Sequence, residues 1–136
     1  MEVVLVDTSA VSALLSVRSR KRPLQNAVLR AIAGRKTAVS PVIEAELRIW
    51  METLGDNRRS AVRRFCESSS FLPIAKNTVN VYASTFWKKI PGFPVNDRWI
   101  ACTALEHGLQ LVTLDSDFLL IDALKPLLVY LDINKI

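Results

Sequence analysis

Four acids, Asp7, Glu46, Asp97 and Asp115, with Asp117 two residues beyond the last, stand where a carboxylate is costly unless something neutralises it. Residues 99–105 carry no charge on any helical face, so a helix there is buried nearly all round, and Asp97 lies in its first turn with Phe93 and Pro94 behind and Ile100 and Ala101 ahead. Asp115 and Asp117 follow directly on the apolar run Leu109, Leu111, Val112, and Asp7 follows Val3–Val6. Glu46 is set apart from Glu44 and Glu52 by helical periodicity. Its neighbours one turn away (Val42, Ile43, Ile49, Trp50) are all apolar, whereas Glu44 has Arg48 in reach and Glu52 has Arg48 and Asp56. Taken singly, Asp7 reads equally well as a helix N-cap and Glu46 as a buried acid paired with an arginine. Taken together they form a cluster. Two like charges about 4 Å apart repel by roughly 4 kcal/mol at an effective dielectric of 20, so the cluster requires protons or cations. Oxygen ligands without cysteine or histidine suit a hard divalent ion, Mg²⁺ or Mn²⁺, which could activate water, orient a phosphodiester and stabilise its developing charge.

The elements that must position these acids alternate between strand and helix. Val3–Val6 is a continuous apolar run of the kind that buried parallel strands show, and a helix follows from Ala10 to about Ser16. A basic loop over 16–23 leads to a helix over about 24–33, stopped by Gly34, and to a second strand, Thr37–Val39. Ser40-Pro41 is a cap with proline at the first helical position, opening a helix to about Leu54. A basic helix from Asn57 to about Glu67, a short edge strand over 71–74 and a helix from about Asn77 to Lys89 come next. The buried helix carrying Asp97 ends at Gly108, and a strand over 109–112, a short helix over 118–124 stopped by Pro126, and a last strand over 127–131 complete the chain. The expectation is one domain, 1–136, a three-layer α/β/α fold on a central, mostly parallel five-stranded sheet. In such sheets ligands bind outside the carboxyl ends of the strands, where Asp7 and Asp115 fall.

Composition narrows the function. A chain of 136 residues, half of them hydrophobic, can bury a full core, and no apolar run approaches the roughly 18 residues of a membrane span. Met1-Glu2 opens without a basic leader, and Cys66 and Cys102 have no metal-type spacing, so a soluble cytoplasmic protein with reduced thiols is expected. The single histidine, His107, sits at a helix end, which argues against Ser/His and Cys/His nucleophilic machinery. The net charge of +5 is gathered into clusters: Arg18, Arg20, Lys21, Arg22; Arg58, Arg59, Arg63, Arg64; and Lys88, Lys89. Each alone reads as a solvated face, but together they permit a polyanionic partner.

The residues also resemble a family. Asp7-Thr8-Ser9 after an apolar strand, Glu46-Leu47 on the third helix, the run from Asn96 to Ala101 and that from Leu111 to Phe118 look like the PIN domain. In a chain this short they resemble the VapC-type toxins of bacterial and archaeal toxin–antitoxin pairs. The resemblance covers essentially the whole chain. It implies a Mg²⁺- or Mn²⁺-dependent endoribonuclease, with Asp7, Glu46, Asp97 and Asp115 as catalytic acids and metal ligands. Asp117 is the alternative to Asp115, and Ser9 and Thr113 would line the site. It further implies an RNA substrate, a cognate antitoxin whose tail crosses the site, and a homodimer. Positive mean hydropathy, with Trp50, Phe86 and Trp87 on helices that also face outward, points to the dimer as well. Trp50 stands where the family often has a small residue, so the substrate groove is expected to have a shape of its own.

RNA affinity must come from cations around the acids. The loop Arg18, Arg20, Lys21, Arg22 is the first candidate and the Arg58–Arg64 cluster the second. A phosphatase of doubly wound fold is disfavoured because Asp7-Thr8-Ser9 lacks a second aspartate two places on, and a receiver domain because it needs paired acids after its first strand. A catalytically silent RNA- or protein-binding module of the same fold is the remaining alternative.

Overall fold

The computed structural model describes residues 2–88 and 90–136. Met1, and Lys89 at which one helix was expected to end, lie outside the described residues. Five strands, β1 (Val3–Val6), β2 (Lys36–Val39), β3 (Ser70–Phe71), β4 (Gln110–Thr113) and β5 (Leu128–Tyr130), form one sheet in the order β3-β2-β1-β4-β5. Every pairing is parallel, with Leu5 opposite Ala38 on one side and Leu111 on the other. Among the described residues six α-helices connect them: α1 (Thr8–Leu14), α2 (Arg22–Ile32), α3 (Pro41–Met51), α4 (Asp56–Ser68), α5 (Lys76–Phe86) and α6 (Val95–His107).

This topology creates the site. From β1 the chain moves outward through β2 to β3, then returns across the sheet to β4 and moves outward the other way to β5. Right-handed crossovers therefore put α1 to α4 on one face and α5 and α6 on the other. The connections leave β1 and β4 in opposite directions, which opens a crevice at the carboxyl ends of these two neighbouring strands. Both strands are buried on both faces, and Val4, Leu5, Val6, Leu111 and Val112 pack with Ile43, Leu47, Ile100 and Phe118 as the centre of the core.

Where element boundaries differ from the sequence reading, the cause is local. Helix α1 starts two residues early because Asp7 itself caps it, and α2 starts at Arg22 because Pro23 occupies the first turn, where its missing N–H costs nothing. Only Ser70 and Phe71 pair as β3, since Pro73 cannot donate to a ladder. The helix expected over 118–124 is two 3-10 segments, Ser116–Leu120 and Asp122–Leu127, with Pro126 inside the second and not past its end. Gly108 takes φ of 62° and closes α6 as expected. Phe86 does not face outward: it is only 6% exposed and packs between Tyr82 and Phe93. Trp50 is half-buried, which leaves Trp87, 72% exposed, as the outward aromatic of the three. Both cysteines are free, and burial, with Glu106 nearby, pushes the Cys102 thiol up to about 12. No described helix is long and apolar enough to cross a membrane.

Candidate active site

Asp7 is the first residue beyond β1, and its N–H still donates to the Val112 carbonyl at 3.1 Å, so the β1–β4 ladder runs up to the acid. Its Oδ1 accepts from the Ala10 N–H (3.1 Å) and the Ser9 hydroxyl (2.6 Å), and its Oδ2 from the Thr113 hydroxyl (2.6 Å). Asp7 is thus both the N-cap of α1 and a member of the acidic group. It is 5% exposed, and burial raises its pKa against the lowering effect of the three donors, with Asp115 adding to the rise. Ser9 and Thr113 extend this framework: the Ser9 hydroxyl accepts from the Leu114 N–H at 3.1 Å and the Thr113 hydroxyl from the Asp115 N–H at 3.0 Å. Two hydroxyls therefore fasten the loop after β4 to the start of α1 across the crevice.

Carboxylate oxygens of Asp97, Asp115 and Asp117 lie within 4.8 Å of one another. Asp97 comes from the first turn of α6, and the loop after β4 supplies the other two, with Asp115 Oδ1 accepting from the Asp117 N–H at 2.9 Å. Glu46 arrives on α3, which touches both α1 and α6. Its Oε1 accepts from the Thr8 hydroxyl at 2.8 Å, while Glu44 turns away to pair with Arg48 at 3.0 Å. Ile49, one of the apolar neighbours that marked Glu46 as inward, is itself exposed, and Glu46 is half-buried. Burial first, then Asp115, Glu46, Asp7 and Asp117, pushes Asp97 up to about 7. All five acids thus bear on one place. Among the described residues none of them is in an ion pair, so Glu46 is not the structural arginine partner that its burial alone allowed. The tightest trio includes both Asp115 and Asp117, whereas Asp7 stands outside it with its oxygens held by hydroxyls and a backbone N–H.

The donor set fits a hard divalent cation. It is all oxygen, among the described residues no arginine or lysine pairs with it, and burial with the neighbouring acids pushes Asp97 up to about 7, a rise that a bound cation would oppose.

The basic loop divides. Arg18 and Lys21 line a groove together with Ser9, whereas Arg20 lines only a second hollow, shared with Lys21, beside Ile133 and Ile136, and Arg22 lies beside Arg30 and Lys135. The groove's third cation, Arg58, comes from the second basic cluster, with its guanidinium 5.6 Å from the centre of the Trp50 ring. Sequence spacing did not pair Trp50 with Arg58, because the contact crosses the turn between α3 and α4 and does not follow a helical repeat.

A parallel α/β sheet with its acids gathered at the switch point is the architecture of one nuclease class: the chain belongs to the PIN domain family, whose model matches residues 4–124 and so spans all five acids. PIN domains are generally nucleases. Among solved structures, the chain is similar to the Rickettsia felis VapBC2 complex bound to a promoter DNA fragment (TM-score 0.73, 19% identity, 96% of this chain and 99% of that one). It is also similar to a toxin–antitoxin complex from Klebsiella pneumoniae (TM-score 0.68, 20% identity, 93% and 95%). A third likeness is to VapBC-5 from Mycobacterium tuberculosis, of the VapBC family of toxin–antitoxin systems (TM-score 0.61, 22% identity, 90% and 92%). At these identities the likeness establishes the fold. No curated protein matches the sequence.

Proposed function

We propose that the chain is a Mg²⁺- or Mn²⁺-dependent endoribonuclease that hydrolyses phosphodiester bonds in single-stranded RNA, acting in the cytoplasm as the toxin of a VapBC-type pair. The observation that carries the reading is the convergence of four acids on Asp97 without a cationic side chain among them. Asp97, Asp115 and Asp117 would hold the metal, with Glu46 and Asp7 completing its surroundings. When bound, the metal supplies a more acidic water and charge neutralisation at the phosphate. The hydroxyls of Thr113 and Ser9 hold the Asp7 carboxylate in orientation, and that of Thr8 does the same for Glu46. Glu46 and Asp115 would complete the metal's shell or orient an attacking water through hydrogen bonds.

The likeness to toxin–antitoxin complexes supports a cognate antitoxin as partner, its tail lying across the acids with a basic residue among them. A homodimer is also proposed. The exposed Ile49, Trp87 and Val95 supply apolar surface for it, and a strictly monomeric mass by light scattering at micromolar concentration would remove it. The decisive experiment is incubation with pooled RNA, with and without Mg²⁺ or Mn²⁺. Metal-dependent cleavage that Asp97→Asn abolishes is the expected result; RNA binding without cleavage under either metal would favour the silent module.

A further inference from the structure

Next to the acids lies a groove of about 280 Å³ whose charged lining is cationic. That is below the roughly 300–1,000 Å³ of pockets that swallow a whole small molecule, so it suits one group of a larger ligand. Three of its ten lining residues, Arg18, Lys21 and Arg58, are cations, and none is an acid. Among the described residues none of the three is in an ion pair. The Arg58 guanidinium lies over the Trp50 ring, 5.6 Å from its centre, yet its Nε is buried and has no hydrogen-bond partner among the described residues. A buried charged donor left without an acceptor is costly, and a ligand oxygen would satisfy it.

The groove is also preformed on its other side. Gln25 Nε2 donates to the carbonyls of Leu14 (2.7 Å) and Ser16 (3.1 Å), which ties the end of α1 to α2. The Arg18 N–H donates to the Ser16 hydroxyl at 3.3 Å, so the loop bearing Arg18 leaves from an anchored point. Ser9 lines this groove and donates to Asp7 at 2.6 Å, so one residue belongs to both the cationic and the acidic place.

We propose that Arg58, with Arg18 and Lys21, seats a backbone phosphate of the RNA adjacent to the scissile one, and that Trp50 is the positioning residue that aims Arg58 at it. This rests on the ribonuclease reading above. A strand whose scissile phosphate sits over the acids must pass on to a neighbouring nucleotide, and the groove offers that nucleotide's phosphate the positive charge that the centre denies it. The contact reads no base, so it contributes affinity and register and leaves sequence preference to other residues.

The test uses the cleavage-dead Asp97→Asn protein and a short single-stranded RNA, measured by fluorescence anisotropy across a salt series. Adding Arg58→Ala should weaken binding on the order of tenfold and flatten the salt slope by about 0.7. Arg58→Lys should keep the slope and lose part of the affinity, because the charge stays while the guanidinium's place over the Trp50 ring is lost. Trp50→Leu should do the same. Replacing single phosphates of the RNA by uncharged methylphosphonates should reveal one position where the loss equals that of Arg58→Ala and adds nothing to it. Unchanged affinity and slope in Arg58→Ala, from a wild-type protein that cleaves RNA with metal, would overturn the seat and leave the nuclease standing. So would an Arg58→Ala protein that binds RNA normally and loses only a protein partner. A wild type without metal-dependent cleavage strikes the nuclease reading instead. If Arg58→Ala does not fold, Arg58→Lys with the methylphosphonate series carries the same decision.

Discussion

The acidic centre and the basic groove meet at Ser9 and are built in opposite ways. The centre draws Asp7, Glu46, Asp97, Asp115 and Asp117 from regions up to about a hundred residues apart, each fixed by the end of a strand or the face of a helix. Its charges repel; hydroxyls and backbone N–H groups hold Asp7, Glu46 and Asp115, and among the described residues none of the five acids has an ion pair. The groove takes its cations from the segment between α1 and α2 and from the first turn of α4, and leaves Arg18 and Lys21 exposed. The difference teaches how a site of net negative charge can work on a polyanion. On the proposed ribonuclease reading, the core would set the acids for a metal, and the segment after α1 with the start of α4 would carry the charge that attracts the substrate.

The largest expected effect that would sharpen this division is at the centre. Asp97→Asn should lower cleavage by at least about a hundredfold, since even residues that only support a metal ligand cost 10–100-fold. It should also cancel the rise in Tm that millimolar Mg²⁺ gives the wild type, while RNA binding without metal persists or strengthens. Cleavage near the wild-type rate would show that Asp115 and Asp117 suffice without it.

Thr113→Val tests the hydroxyl framework. It removes the donor to Asp7 Oδ2 and the acceptor of the Asp115 N–H in a buried position, so activity should fall about 10–100-fold with little change in RNA affinity. A variant that lost RNA affinity instead would join the two regions that the structure separates.

Next comes pH. Asp97 titrates near 7 in the folded protein against an ordinary value of 3.8, so between these values the folded chain keeps a proton that the unfolded chain has released. Its contribution to stability is present in full below the ordinary carboxylate range and is lost as pH rises through about 7. Thermal denaturation of metal-free protein should therefore give a Tm that falls from pH 6 to pH 8. Mg²⁺ should reverse the trend, and Asp97→Asn should flatten it. A metal-free Tm that rises over this interval would show that Asp97 is not under this repulsion.

The smallest effect separates the two halves of the basic loop. Arg22→Ala, placed beside Arg30 and Lys135 and away from the groove, should leave the salt slope of RNA binding unaltered, whereas Arg18→Ala should lower it by about 0.7. Equal slopes for the two variants would return the loop to the status of a uniformly solvated connection.

The sequence by itself determined the alternation of strands and helices, the single sheet and the identity of the acids. An apolar run bounded by polar residues, a Ser-Pro helix start and a glycine stop act over a few residues, so they are legible locally. Asp7 could be placed at a strand end and Glu46 on the inward face of α3 because period and flanking residues constrain both. What only the tertiary structure decided depends on contacts between segments remote in the chain. The strand order put β4 beside β1 and so made the crevice; a parallel sheet can be ordered many ways from the same apolar runs. Packing brought Asp97, Asp115 and Asp117 within one ligand shell and left Asp7 to be held by hydroxyls. It turned Phe86 inward among aromatic rings, whereas the sequence reading grouped it with Trp50 and Trp87 as outward-facing surface for a dimer. It also sorted a run of four cations into two that face the groove and two that do not, and set Arg58 on Trp50 across a turn. Side-chain direction outside regular elements follows from what the chain packs against, which no local pattern encodes.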